Sequence, residues 1–222
     1  VAAVLFVWLL PASRRFTPQR ARGWAGVFGD VRAGIGAHLK NGPLCGLFAM
    51  GGLLMGAFVT VYNYVGFRLL APPFSLSQTF IGFIFVVYLV GIFASTFFGR
   101  LADRHGRGAM LAAGTGLALA GLLLTLSDAL PVLIAGIVVF TFGFFAAHAV
   151  ASGWVGQMSR GYKALAASLY LLVYYVGSSV LGSLGGQFWT GGGWPGVAAM
   201  AGSLLTGALC ISAALYLSLI HI

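Results

Sequence analysis

Six long apolar segments, separated by short polar ones, make up most of the chain after residue 43. Each has roughly the twenty residues that an α-helix needs to cross the hydrocarbon core of a bilayer. The pattern predicts transmembrane helices at about 44–67, 79–98, 109–127, 131–156, 165–188 and 197–219. Residues 1–12 form another apolar run, which we expect to be the tail of a preceding span. The predicted fold class is therefore all-α transmembrane.

The longest polar segment is residues 13–42, which holds six basic residues and one acid, Asp30. We expect this segment to be a linker between two sets of helices. Its apolar residues Phe16, Trp24, Val27, Phe28 and Val31 alternate loosely with those bases, so we expect part of the segment, about residues 23–39, to form an amphipathic helix lying on the membrane surface. A flexible linker is equally compatible with the same residues.

Composition supports a membrane protein, because 60% of the residues are hydrophobic and only 7% are charged. Soluble domains carry about 25% charged residues. Eleven of the twelve basic residues fall in alternate polar segments, 13–42, 99–108 and 159–164, and Arg68 is the exception. Cytoplasmic loops of membrane proteins carry such an excess. We therefore attribute the net charge of +9 to membrane topology and not to nucleic-acid binding. The expected location is a bacterial inner membrane, with the linker and the chain's end on its cytoplasmic side.

The densest charge in the bundle is at residues 99–108, which read Gly-Arg-Leu-Ala-Asp-Arg-His-Gly-Arg-Gly between two predicted spans. We expect a tight hairpin loop, with Asp103 just before a helix whose N-terminal dipole favours a carboxylate. Asp103 is also expected to pair with a neighbouring arginine. The pattern G-x-L-A-D-R-x-G-R resembles the loop signature of the major facilitator superfamily of secondary transporters.

That resemblance implies the six-helix C-terminal bundle of a major facilitator fold at 43–222, preceded by the linker and the tail of one helix. The chain is then a fragment, and its expected partner is a missing N-terminal six-span half of the same protein. The resemblance also implies a cytoplasmic gate that latches across the two halves. The gate residues are Gly99, Arg100, Asp103, Arg104, Gly106 and Arg107.

A narrower resemblance covers residues 142–179, which are similar to the YnfM-type branch of the superfamily. Those are inner-membrane transport proteins akin to sugar-efflux and drug-efflux permeases. The implied activity is secondary transport of small organic molecules, as proton-coupled efflux by alternating access. An uncoupled facilitator or an uptake transporter of the same fold is the alternative, followed by a non-transporting scaffold or sensor.

Polar side chains at membrane depth are costly, so they are candidates for the substrate cavity. They are Tyr62, Asn63, Tyr88, His148, Ser152, Tyr170, Tyr174 and Ser178. The tyrosines are suited to stacking on a ring-bearing substrate or to helix packing. His148 is the candidate for proton coupling, because its unperturbed pKa of about 6.5 suits proton exchange. The alternative roles for His148 are a neutral side chain that hydrogen-bonds a neighbouring helix and a contact to substrate.

The sequence shows no pattern that indicates a catalytic or metal-binding site. The predicted spans hold one strongly titratable histidine and no acid, whereas an enzyme needs clustered groups at catalytic or ligand spacing. Cys45 and Cys210 lie in separate apolar runs and indicate neither a disulfide nor a metal site. We expect no cofactor, no metal and no enzyme activity; the expected surroundings are a lipid bilayer and a small-molecule substrate.

Overall fold

The computed structural model describes residues 23–159 and 161–220, and all the regular elements in those ranges are helices. The chain divides into two units, Val1–Ala33 and Gly34–Ile222, and the helices discussed below belong to the second unit except where stated. The span tail expected at residues 1–12 lies outside the described residues, as do residues 13–22 of the expected linker.

Six helical elements follow one another along the chain. They are α1 (Trp24–Leu39), α2 (Gly42–Leu70), α3 (Gln78–His105), α4 (Arg107–Leu124), α5 (Leu130–Met158) and α6 (Lys163–Ile220). Helix α3 contains a 3₁₀ turn at Phe85–Val87. Five of them, α2 to α6, are long and apolar enough to cross a membrane. The predicted all-α transmembrane fold class is confirmed.

Helix α6 is too long for a single membrane crossing, and it consists of two arms that meet at Gly193. This glycine has φ 58° and ψ −145°, which no α-helix contains, and Pro195 follows it. A straight helix would separate Tyr170 from Ser212 by about 60 Å. Instead both contact neighbouring residues of α2: the Ser212 hydroxyl lies 3.8 Å from the sulfur of Met50, and the Tyr170 ring packs on Gly51. The arms are therefore antiparallel, and they correspond to the predicted spans at 165–188 and 197–219.

Helix α1 begins in the first unit and ends in the second. Of the two alternatives for residues 23–39, the structure contains the helix. In the first unit, Val27, Phe28 and Val31 of this helix are exposed. In the second unit, the buried His38 donates from Nε2 to the carbonyl oxygen of Tyr162 at 3.3 Å, so the end of α1 is anchored at the turn before α6.

The charged stretch 99–108 is not a ten-residue loop, and the predicted extent of the loop is wrong. Helix α3 continues to His105 and α4 begins at Arg107, so Gly106, with φ 89°, is the one residue between them. The helix continues because its leucine, alanine and arginines favour helix over coil. Glycine ends it because the left-handed region suits a residue without Cβ. Asp103 therefore lies in the last turn of α3 and not at the start of α4.

Close backbone contact joins α4 to α5. A Cβ atom added at Gly114 would lie 2.8 Å from the backbone nitrogen of Ala147, and one added at Gly143 would collide with the backbone nitrogen of Ala118. In a membrane the hydrophobic effect does not drive helices together, so small residues that allow close van der Waals packing are favoured at such contacts. The glycines thus fix α5, which carries His148, against α4.

Arg68 is the basic residue that breaks the alternation of charge, and its surroundings explain how it is accommodated. Lys40, Arg107 and Lys163 lie at one end of the bundle, which we call the basic end. Arg68 lies at the opposite end. Its guanidinium donates to two carbonyl oxygens of the α4–α5 turn at 3.0 and 3.2 Å and pairs with Asp128 at 3.3 Å. It also lies over the rings of Phe74 and Trp194, 5.5 and 5.7 Å from their centres. Arg68 at the end of α2 thus contacts the α2–α3 turn, the α4–α5 turn and the bend between the two arms of α6.

Candidate functional site

A cavity of about 360 Å³ opens between α2, α3, α5 and the first arm of α6. Seven of its ten lining residues are aromatic, and none carries a charge. The lining consists of Met55, Phe58, Val59, Tyr62, Asn63, Phe85, Tyr88, Phe144, Phe145 and Tyr174. Such a surface offers ring faces and edges to a ligand, with few polar groups to fix its orientation.

Phe58 on α2 is the centre of the aromatic lining. Its ring stacks on Phe144 with centroids 3.9 Å apart, and it lies 4.7 Å from Tyr62 and 5.6 Å from Tyr88. The ring is 5% exposed, so its neighbours hold it in one position. Favourably arranged aromatic pairs each add about 0.5–1.5 kcal/mol beyond burial. The wall of the cavity is therefore preorganised by contacts among its own rings.

Tyr62 connects this lining to α5 by a hydrogen bond. Its hydroxyl lies 2.6 Å from the hydroxyl oxygen of the buried Thr141, and either group is able to donate. The ring of Tyr62 also lies 4.8 Å from the ring of Tyr88, at 68°. The bond satisfies a polar group at membrane depth that would otherwise cost free energy.

His148 lies behind the cavity wall and not in it. Its ring is parallel to Phe144 within 8°, at a centroid distance of 5.9 Å, and lies 4.9 Å from the ring of Tyr174. Its Nδ1 atom is 3.0 Å from the hydroxyl of Tyr170, which is 2% exposed. His148 thus touches two lining residues while it bonds a residue of α6 that is buried in the bundle.

The structure brings together four of the eight cavity candidates as lining residues: Tyr62, Asn63, Tyr88 and Tyr174. His148 and Tyr170 form the pair behind them. The remaining two lie elsewhere: Ser152 is exposed and donates to the carbonyl oxygen of Ala149 at 3.2 Å, and Ser178 is half-buried outside the lining.

The sequence does not mark the phenylalanines of the lining as candidates, because the pattern that indicates a cavity residue is a polar group at membrane depth. The available signal was the Phe144-Phe145 pair, which precedes His148 by about one helical turn. Phe145 reaches α3 because Gly91 leaves space for its ring. No such local pattern marks Phe58 or Phe85, which join the site only through the packing of α2 and α3 on α5.

At the basic end, Arg107 of α4 donates from Nη2 to a carboxylate oxygen of Asp103 at 2.7 Å. The sequence predicts pairing within this stretch, and the ion pair is present. The Asp103 side chain is 67% exposed and that of Arg107 only 19%. Arg100 and Arg104 are exposed, and Gly99 is half-buried. The pair crosses the Gly106 break and ties the end of α3 to the start of α4.

Residues able to hold a metal do not come together in the described ranges: no three histidine, cysteine, aspartate or glutamate side chains form a group there.

The sequence of residues 47–220 matches the Major Facilitator Superfamily. This chain belongs to that superfamily. Among its relatives, the MFS-type transporter YybF of Bacillus subtilis (strain 168) is 44% identical over 212 residues, which are 96% of this chain and 51% of YybF. The inner membrane transport protein YnfM of Escherichia coli (strain K12) is 42% identical over 217 residues, 97% of this chain and 51% of YnfM. The predicted resemblance to the superfamily and to YnfM is confirmed.

A transporter of Buchnera aphidicola subsp. Schizaphis graminum (strain Sg) is 38% identical over 212 residues, 96% of this chain and 50% of that protein. The chain spans about half the length of the curated relatives it matches. Membership of the Major Facilitator Superfamily and five helices of membrane-crossing length make this an integral, multi-pass membrane protein. The described bundle is part of an all-α major facilitator fold.

Proposed function

We propose that this chain is the second six-span half of a secondary transporter that exports small organic molecules by alternating access. The observation that carries the proposal is the uncharged aromatic cavity beside His148, in a member of a superfamily whose relatives are named as transporters. In this account a first six-span half, outside this chain, covers the cavity. The two halves rock about it.

The lining favours ring-bearing substrates. A sugar presents many hydroxyl groups, and each one buried without a partner costs free energy. The aromatic walls offer stacking surfaces instead, and the polar groups among them are the Asn63 amide and the hydroxyls of three tyrosines. With no arginine or lysine among the described lining residues, an anionic substrate gains no compensating charge from this lining.

Proton coupling is assigned to His148. It is the one histidine in the middle of a described membrane-crossing helix, and it contacts Phe144 and Tyr174 of the cavity wall. A change of charge on the ring would alter its bond to Tyr170 and its packing against Tyr174, and so change the wall that the substrate meets. Proton release and substrate binding are linked in this way.

The ion pair of Asp103 and Arg107 serves as the cytoplasmic gate, with Gly99, Arg100, Arg104 and Gly106 as the rest of the gate stretch. Because the basic residues concentrate at this end of the bundle, the basic end lies on the cytoplasmic side of a bacterial inner membrane. The linker and the end of the chain lie on the same side. When the gate closes, these groups meet helix ends of the first half.

Transport by everted membrane vesicles tests the proposal, with the intact transporter and an imposed pH gradient. The probes are ethidium, N-phenyl-1-naphthylamine and radiolabelled glucose. We expect uptake of at least one ring-bearing probe that collapses when an uncoupler is added, and a smaller dependence on the gradient in His148→Gln. Uptake that persists unchanged with the uncoupler contradicts proton coupling, and preferential uptake of glucose contradicts the substrate class.

A further inference from the structure

We propose that Gly153 on α5 is a positioning residue for the gate arginine. It provides the surface on which the guanidinium of Arg107 rests while it holds Asp103. The inference rests on the proposed function, because it concerns how the gate is built. Gly153 is not among the gate residues that the sequence pattern indicates, and it lies on a different helix from all of them.

The geometry places the guanidinium between an acid and a helix backbone. A Cβ atom added at Gly153 would lie 3.3 Å from Nη1 of Arg107, which is tighter than ordinary van der Waals contact. The other terminal nitrogen of the same guanidinium lies 2.7 Å from Asp103. The arginine side chain is 19% exposed and the aspartate 67%, so the arginine is the more enclosed member of the pair. Part of that enclosure is α5 at Gly153.

The contact continues the register of the α4–α5 packing. Gly121 faces Phe140, and Gly114 faces Ala147, so the contact advances seven residues along each helix in opposite directions. Seven residues before Gly114 on α4 is Arg107, and six residues after Ala147 on α5 is Gly153. The position opposite Arg107 is thus set by a packed helix pair and not by the flexible end of a loop.

A consequence is that one helix carries both the gate contact and the wall of the cavity. Gly153 lies five residues after His148 and eight after Phe145 on α5. A shift of α5 that accompanies substrate or proton binding would move the surface beneath Arg107. The gate at the basic end would then respond to the cavity through a rigid helix.

The test replaces Gly153 by valine in the intact transporter, with Gly156→Val as the matched control. Gly156 lies almost one turn further along α5, and a Cβ atom there meets nothing within 4 Å. The atom met at Gly153 is the end of a flexible side chain, so the variant is expected to fold and displace the guanidinium. Gly153→Ala is the milder variant, and thermal unfolding is measured for every protein.

The readout needs no substrate. Tyr174→Cys in the cavity wall is labelled from the cytoplasmic side with a membrane-impermeant maleimide, after Cys45 and Cys210 are replaced by serine. We expect Arg107→Ala and Gly153→Val each to speed labelling about threefold to fivefold, as an ion pair of modest strength implies. Combining the two should add nothing further, Gly153→Ala should give a smaller increase, and Gly156→Val should give none.

Two results overturn the inference: Gly153→Val labels no faster than Gly156→Val, or the effects of Gly153→Val and Arg107→Ala multiply in the double variant. If Arg107→Ala itself leaves labelling unchanged, the gate is wrong and the inference falls with it. If labelling behaves as expected while vesicles transport none of the probes, the transport proposal fails and the role of Gly153 stands.

Discussion

Nδ1 of His148 lies 3.0 Å from the hydroxyl of Tyr170, which joins α5 to the first arm of α6. Tyr170 is 2% exposed and its ring packs on Gly51 of α2, so this residue of α6 contacts both α2 and α5. On its other side His148 contacts Phe144 and Tyr174, which line the cavity. The pair therefore connects the interior of the bundle to the lining of the cavity.

The first prediction concerns this bond. Tyr170→Phe removes the hydroxyl and leaves the ring, so His148 loses its partner while the packing on Gly51 remains. We expect a loss of about 1 kcal/mol of stability, seen as a fall of roughly 2–4 °C in the melting temperature. We also expect weaker dependence of transport on the pH gradient, measured in vesicles.

Tyr175→Phe is the matched control, since Tyr175 belongs to the same arm and is 61% exposed. It should change neither the melting temperature nor the gradient dependence. If Tyr170→Phe keeps the parent's gradient dependence, the bond to His148 has no part in coupling.

The second prediction concerns Arg68. Arg68→Ala removes donors to two backbone carbonyls as well as the pair with Asp128, whereas Asp128→Asn removes only a charge that is 80% exposed. Exposed ion pairs contribute about 0–1 kcal/mol, so Asp128→Asn should be nearly neutral. Arg68→Ala should lower the melting temperature clearly, and Arg68→Lys should fall between, because lysine keeps the charge but lacks the planar fork.

Thermal unfolding in lipid nanodiscs measures this order. Equal losses in Asp128→Asn and Arg68→Ala would mean that the ion pair, and not the carbonyl contacts, holds the turns together. The account of Arg68 as a joint between turns would then be wrong.

The third prediction concerns the contact between α4 and α5. Gly143→Val places a Cβ atom against the backbone nitrogen of Ala118, so the helices must separate. Overpacking of this kind costs about 1–3 kcal/mol. The matched control is Gly116→Val on α4, where an added Cβ atom meets nothing within 4 Å. This variant changes stability only through the helix propensity of the residue.

Folded yield and melting temperature distinguish the two valine variants. We expect Gly143→Val to lose a large part of both and Gly116→Val to resemble the parent. Similar behaviour of the two would show that close backbone contact is not what holds α5 against α4.

The spans were predictable because apolar length reports membrane crossing directly. The predicted helix at 131–156 and the observed α5, Leu130–Met158, differ by one or two residues at each end. The loop at 99–108 was not predictable in the same way. Charge ends the apolar run at Phe98, but the helical backbone continues to His105, since arginine, leucine and alanine remain good helix formers in water.

The site was predictable only in part. Polarity at membrane depth pointed to Tyr62 and Tyr174, which line the cavity, and to His148, which lies behind it. It gave no reason to choose Phe58 among the 18 phenylalanines of the chain. Phe58 becomes central because α2 packs it against both Tyr88 of α3 and Phe144 of α5, and that depends on contacts between helices far apart in sequence.

The central claim is that the aromatic cavity binds the transported substrate, and substrate protection of an introduced cysteine tests it most directly. Tyr88→Cys places a thiol in the lining, and Leu89→Cys places one on the next residue, which is 63% exposed and outside the lining. Both are made in the intact transporter with Cys45 and Cys210 replaced by serine, and labelled with a maleimide in the presence of the ring-bearing probe that vesicles transport. The account predicts that the probe slows labelling of Tyr88→Cys over the concentration range that saturates transport, and leaves Leu89→Cys unaffected. Equal labelling of Tyr88→Cys with and without the probe would contradict it.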